Sequence, residues 1–208
     1  LGFVSLFVTG GLTGLFLGQT SLDLFLHDTY FVVGHFHMIM GVAAIFGMFA
    51  AAYYWFPKMF GRMMNETLGK IHFFTTFIGV YAIFLPMHTM GIAGHPRRYY
   101  DSSDYSYLQS MQPLHRMVTV AAFFTAAVQL IFLFNIIWTL LKKKNAPENP
   151  WESTTLEWTV PSPPPHDNFG GRKVVVHHGP YEYGVPGAAT DFIMQDAGPE
   201  AMPDGLGT

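Results

Sequence analysis

Three imidazoles and a carboxylate fall within eleven residues, His27-Asp28-Thr29-Tyr30-Phe31-Val32-Val33-Gly34-His35-Phe36-His37. From Phe31 to Phe56 the chain then carries no Lys, Arg, Asp or Glu. Ionisable groups at membrane depth are costly and are kept chiefly for function. On a helix that turns about 100° and rises about 1.5 Å per residue, His35 and His37 leave about 200° apart and about 3 Å apart along the axis. One small ion cannot easily take both, whereas two centres on opposite faces can take one each. Imidazole suits iron, copper and zinc. In apolar surroundings with no Cys, two haem irons are the natural candidates, with Phe36 between them. The alternative is a pair of core histidines bonded to backbone carbonyls or to neighbouring helices.

His27 and Asp28 are adjacent, and an imidazole with a carboxylate can share a hard divalent ion such as Mg²⁺ or Mn²⁺. Asp28 is equally a good N-cap for the helix that follows. Arg97 and Arg98 follow Gly94-His95-Pro96. Paired guanidiniums suit carboxylates and phosphates. The candidates are the propionates of a porphyrin or the headgroups of membrane lipid. The remaining histidines read more plainly: His72 and His88 as polar groups packed between helices, His95 and His115 in or near a loop, and His166, His177 and His178 in a solvated tail.

Apolar segments must position these groups. Residues 31–56, 71–94 and 117–141 are free of Lys, Arg, Asp and Glu. Each exceeds the roughly 20 residues that cross a hydrocarbon core. Residues 1–19 form a shorter stretch with Gly10, Gly11, Gly14 and Gly18, and such small residues permit close helix contact. The expected fold class is an all-α membrane protein of about four transmembrane helices, part of a larger bundle, with an extended Pro-rich tail. Lys58, Arg62 and Lys70 lie after the second span, and Lys142, Lys143 and Lys144 after the fourth. The positive-inside rule then puts residues 57–70 and the tail, 142–208, on the cytoplasmic side. Residues 20–30 and 95–116 fall on the outer side. Arg97, Arg98 and Arg116 break the rule there, which suggests a specific anionic partner. Tyr99, Tyr100, Tyr105 and Tyr107 lie where an interfacial aromatic belt is expected.

Ten of the 14 prolines follow Ala146, including Pro163-Pro164-Pro165. That density favours extended segments over a packed domain, with the last residues poorly ordered. Only 12% of residues are charged, half are hydrophobic, and the net charge is −3. The charge balance excludes a strongly basic nucleic-acid binder. The lack of Cys excludes disulfides, thiolate metal sites and a catalytic thiol. The chain opens on Leu1 within an apolar stretch, which reads as a piece of a longer protein.

The segment HDTYFVVGHFHM at 27–38 resembles the tenth transmembrane helix of the haem–copper oxidase catalytic subunits, the subunit I family of cytochrome c oxidase. FVTGGLTG with Ser21-Leu22-Asp23 resembles the preceding helix and loop. WFPKMFGRMMNETLGKIHF resembles the next connection, GIAGHPRRY the propionate-binding loop, and NPWESTTLEWTVPSPPPHDNF the C-terminal tail of bacterial members. The HFH and PRRY elements together are specific. The resemblance implies a C-terminal part of the family pattern, running to about residue 170.

It also implies roles. His35 would be the proximal ligand of the high-spin haem, where O₂ binds, and so the catalytic ligand. His37 would be an axial ligand of the low-spin haem, with Phe36 between the two haems, expected to be haem A. His27 and Asp28 would help hold Mg²⁺ or Mn²⁺ with a ligand from subunit II, and Asp23 and His27 would lie near haem propionates. Arg97 and Arg98 would pair with propionates of both haems. The implied enzyme is a proton-translocating cytochrome c oxidase of the bacterial inner membrane. It would assemble from the remainder of subunit I with subunits II and III, and take electrons from cytochrome c. Copper ligands, the second low-spin ligand and the main proton-channel residues belong to parts of the family pattern that no stretch here matches. Met38 stands where many members have an aromatic residue, and Gly34 where Ala is usual. A quinol oxidase, a nitric oxide reductase, a bis-His cytochrome b and a non-catalytic scaffold are the alternatives.

Overall fold

The computed structural model describes residues 1–201. Among these the chain is helical and forms no strands. The described residues divide into two compact units: residues 1–51 with 65–136, and residues 52–64 with 137–201.

In the first unit, α1 (Gly2–Leu17) is followed at a 104° bend by the short α2 (Thr20–Leu26). The 20–30 connection expected from sequence is therefore helical over its first half. Next come α3 (Tyr30–Phe36), a π-helical turn (His37–Val42) and α4 (Ala43–Phe60), which run on as one span of 31 residues. Then follow α5 (Glu66–Ile92) and, after a short 3₁₀ turn at Ser106–Met111, α6 (Gln112–Leu141). Three helical segments are long and apolar enough to cross a membrane, or four if the bent α1–α2 pair counts as one.

Gly2, Gly10 and Gly14 lie on the side of α1 that packs. A Cβ on Gly10 would stand 2.9 Å from the Cβ of Met38, and one on Gly14 would stand 2.8 Å from Cε1 of His35. Gly11 faces open space. Leu6, Met38, Ala43, Phe46 and Val80 form a buried cluster where α1 and the α3–α4 span meet α5. Ser5 and Thr9 each hydrogen bond the Tyr81 hydroxyl at 2.9 Å, so polar contacts supplement the packing. The chain itself covers only 11% of the most apolar window of α6. A water-soluble core helix would be covered far more; a helix in lipid or against further membrane helices need not be.

In the second unit the Pro-rich tail has the irregular backbone its composition predicts, yet it packs. Trp158 is 2% exposed, and its Nε1–H donates to the Tyr54 hydroxyl at 2.8 Å. Lys58 is buried, donates to the Val160 carbonyl at 2.7 Å and lies over the Trp158 ring. The later tail folds back on the earlier part: Gln195 N–H donates to the Thr154 carbonyl, and His177 N–H to the Gln195 carbonyl. These tail polar groups thus find partners within the unit, which offsets part of the entropy of ordering a proline-rich chain. The poor order expected of the last residues concerns positions outside those described.

Candidate functional site

His35 and His37 do leave the helix toward different neighbours. The Nδ1–H of His35 donates to the Gly10 carbonyl of α1 at 2.8 Å, with the Thr13 hydroxyl 3.0 Å from the same nitrogen. Gly14 leaves space for the ring edge. On the other side, His37 stacks on Phe84 of α5 with ring centroids 4.9 Å apart. Its Nδ1–H donates to the Val33 carbonyl at 2.9 Å, which also accepts the His37 backbone N–H. One carbonyl has two lone pairs and can serve both. The Phe36 ring lies 4.4 Å from that of His37.

The two rings share one chemical state. Each has its Nδ1–H spent on a backbone carbonyl. In each, Nε2 makes no hydrogen bond among the described residues. This fixes the tautomer with a lone pair on Nε2, as a ligating imidazole needs. The π turn begins at His37, and the N–H of Ala43 reaches back five residues to the Met38 carbonyl. Such turns recur at functional sites.

The outer cluster assembles differently from the sequence expectation. Thr29, not Asp28, caps α3: its hydroxyl accepts from the Phe31 N–H at 3.2 Å. Asp28 instead adopts a positive φ of 55° and accepts from Nε of Arg97 at 2.8 Å. Asp tolerates that conformation better than most residues. The Arg97 guanidinium beside it holds the Asp28 carboxyl below the usual carboxylate range. The backbones are joined too. Arg97 N–H donates to the Asp28 carbonyl, Tyr30 N–H donates to the His95 carbonyl, and Thr29 bridges Pro96. His27 Nδ1 lies 3.7 Å from the other Asp28 oxygen. Asp23 sits one turn earlier, its carbonyl accepting the His27 N–H. Arg98 is exposed, at φ 66°.

The structure thus brings His27, Asp28 and Arg97 together and leaves Arg98 apart. Among the described residues no three His, Cys, Asp or Glu side chains converge as a metal site. Any metal held here must draw further ligands from outside this set.

The end of α5 sets the arginine loop. Gly94 has φ +82°, its N–H donates to the Gly91 carbonyl, and the His95 N–H donates to that of Met90. These are the two bonds of a Schellman cap, for which Gly at this position is favoured, with Pro following. The sequence also conceals a pair that the fold reveals: Nε2 of His95 and Nε2 of His115 lie 2.6 Å apart.

His72 and His88 are packed polar groups, as expected. His72 bonds Gln129 of α6 at 3.0 Å, and His88 donates from Nδ1 to the Phe84 carbonyl. Nε2 of His88 is buried and has no partner among the described residues.

Apolar helices of spanning length, one bearing histidines toward two neighbouring helices, define an integral membrane protein with ligand-ready imidazoles. The chain belongs to the family described as Cytochrome C and Quinol oxidase polypeptide I, whose profile matches residues 1–124. It is 49% identical over 201 residues to the alternative cytochrome c oxidase subunit 1 of Bradyrhizobium diazoefficiens, covering 96% of this chain and 34% of that protein. It is 44% identical over 186 residues to cytochrome c oxidase subunit 1 of Synechocystis sp., covering 88% and 32%. The fold is similar to a chain of a heme-copper terminal oxidase dimer solved by cryo-EM: TM-score 0.60, 24% identity, covering 69% of this chain and 26% of that one. The chain spans about one third of the length of these curated relatives.

Proposed function

We propose that this chain forms part of the catalytic subunit of a terminal respiratory oxidase that reduces O₂ to water with electrons from cytochrome c and couples this to proton pumping. The observation that carries it is the pair His35 and His37: one helix, two sides, each ring with Nδ1–H on a backbone carbonyl and Nε2 unbonded. Family membership and relatives that bear the name cytochrome c oxidase support the same reading. A quinol donor is the second reading, since the family description covers both.

His35 would hold the high-spin haem and His37 the low-spin haem, with Phe36 between; haem A is the type that the sequence resemblance implies. Haem iron supplies the electron-accepting and oxygen-binding chemistry, alongside copper whose ligands lie outside this chain. The protein's part is orientation and charge. The Gly10 carbonyl and Thr13 fix the His35 ring, and the Val33 carbonyl fixes His37.

Arg97 has five N–H donors and spends two on Asp28, which leaves donors for a propionate. Arg98 offers a whole guanidinium. Buried propionates without such partners would be very costly. Asp23 and His27 flank them. His27 and Asp28 supply two ligands to Mg²⁺ or Mn²⁺, and subunit II and water supply the rest. The partners are the remainder of subunit I, subunits II and III, cytochrome c, and surrounding lipid. The setting is a bacterial inner membrane, with residues 57–70 and the tail cytoplasmic and residues 20–30 and 95–116 outside.

The test is a reduced-minus-oxidised spectrum of the native membrane complex, with and without CO, plus copper analysis. Two haems, one CO-reactive, together with copper are expected. A CO-silent low-spin spectrum would instead indicate an electron-transfer cytochrome, and no haem at all a scaffold.

A further inference from the structure

His95 and His115 take no part in the ligand set above. His95 is 2% exposed and sits where three elements meet. Its backbone N–H closes α5 on Met90, its carbonyl accepts from Tyr30 at the start of α3, and its Nε2 faces His115 of α6 at 2.6 Å. The Tyr30 ring contacts both imidazoles edge-on, at 4.3 and 5.6 Å between centroids. Two residues on, Arg97 is tied to Asp28 by backbone and side chain.

The proton count follows from the partners. Nδ1 of His95 lies 2.9 Å from the Pro96 carbonyl. A carbonyl only accepts, so that nitrogen carries the hydrogen and Nε2 of His95 carries the lone pair. The hydrogen between the two Nε2 atoms must then come from His115. One added proton goes to Nδ1 of His115. It leaves the Nε2–H···Nε2 bond in place and makes it charge-assisted, hence stronger. A second added proton can go only to Nε2 of His95. Two N–H groups then meet head-on between two cations, and the bond is lost.

We propose that His115 is a positioning residue for the arginine loop: through one shared proton it clasps His95, and with it residues 95–98, to α6, and the clasp opens when the pair takes up its second proton. The clasp is therefore present at high pH and lost on acidification. The Tyr30 phenol of α3 carries the ring that touches both imidazoles, and the Tyr107 ring lies beside Gly94; Arg97 and Arg98 follow His95 along the loop, with Asp28 on Arg97, and Arg116 follows His115 along α6. Only the last link, from loop to bound carboxylate, rests on the reading of Arg97 and Arg98 given above.

The experiment uses the native complex, ¹⁵N-labelled at histidine, in its own membranes. Solid-state NMR reads the ¹⁵N–¹⁵N coupling across Nε2–H···Nε2 from pH 8 to 4.5. Backbone hydrogen exchange over residues 95–105 is followed in parallel. One coupled pair at pH 8 is expected. It should be absent in His115→Phe and lost on acidification together with at least tenfold faster exchange of the loop. His115→Gln offers an N–H to the lone pair of His95 and, with its amide turned, a carbonyl to an Nε2–H of His95, so its loop should stay protected across the range. Absence of coupling at pH 8 would overturn the clasp. So would loop exchange in His115→Gln that rises with acid as in the parent. If the clasp passes while Arg97→Gln and Arg98→Gln leave both haem potentials unmoved, the clasp stands and the arginine reading alone is wrong.

Discussion

Two pairs of histidines in the same helical unit do opposite things. His35 and His37 are two residues apart and point away from each other, each keeping Nε2 unbonded. His95 and His115 are 20 residues apart and point at each other, so both Nε2 atoms are consumed. Both pairs fix the ring with Nδ1 on a carbonyl where that bond is present. What differs is the far nitrogen. An imidazole held from behind is a ligand when its front is open and a fastening when a second imidazole closes it. Proximity in sequence is therefore a poor guide to which histidines act on each other.

The comparison is broken most severely at the open pair. His35→Ala and His37→Ala should each remove one haem, the CO-reactive one in the first case. Each should lower O₂ consumption by more than the roughly 10–100-fold that loss of an outer partner costs. If both variants lost the same spectral component, the two-face assignment would fail. Gly14→Ala tests the support behind His35. Its new Cβ would stand 2.8 Å from Cε1, well inside contact distance. Such overpacking should cost about 1–3 kcal/mol in stability and shift the high-spin band. Gly11→Ala, on the open side of α1, should do neither.

A smaller effect is expected where both pairs depend on the start of α3. Thr29→Ala removes the cap of that helix and should lower stability by about 1 kcal/mol, with Ser restoring most of it. Denaturant midpoints would check this. The smallest effect belongs to the exposed Arg97–Asp28 pair. Its contact lowers the folded-state value of a carboxyl, so whatever it contributes is complete above the ordinary value of about 3.9 and vanishes as pH falls through the lower folded one. Stability should not change on this account between pH 5 and 8. Asp28→Asn should barely shift the thermal midpoint, while haem potentials, read by redox titration, should respond to Arg97→Gln.

The open pair was legible in the sequence because a helix turns about 100° per residue, and because charge-free residues after His37 left no other element type for it. Glycines on α1 announced a close contact, but not that Gly14 makes room for a histidine while Gly11 meets nothing. At the start of α3 the local rules offered Asp28 as cap, yet Thr29 fills that place. A partner 69 residues away settled it by taking the Asp28 carboxylate. The short α2 was hidden because Thr20–Leu26 is too brief for periodicity to stand out from a connection. Proline counting predicted the irregular tail backbone, yet not that Trp158 and Thr154 would be buried within the second unit.

By itself, then, the sequence determined the spans, the family resemblance and the outward divergence of His35 and His37, because each follows from composition or from geometry along one helix. Tertiary structure decided which ring nitrogens remain open, that Asp28 belongs to Arg97, and that His95 closes on His115. Each of those depends on atoms from separate helices or loops meeting at hydrogen-bond distance, and spacing along the chain does not fix that.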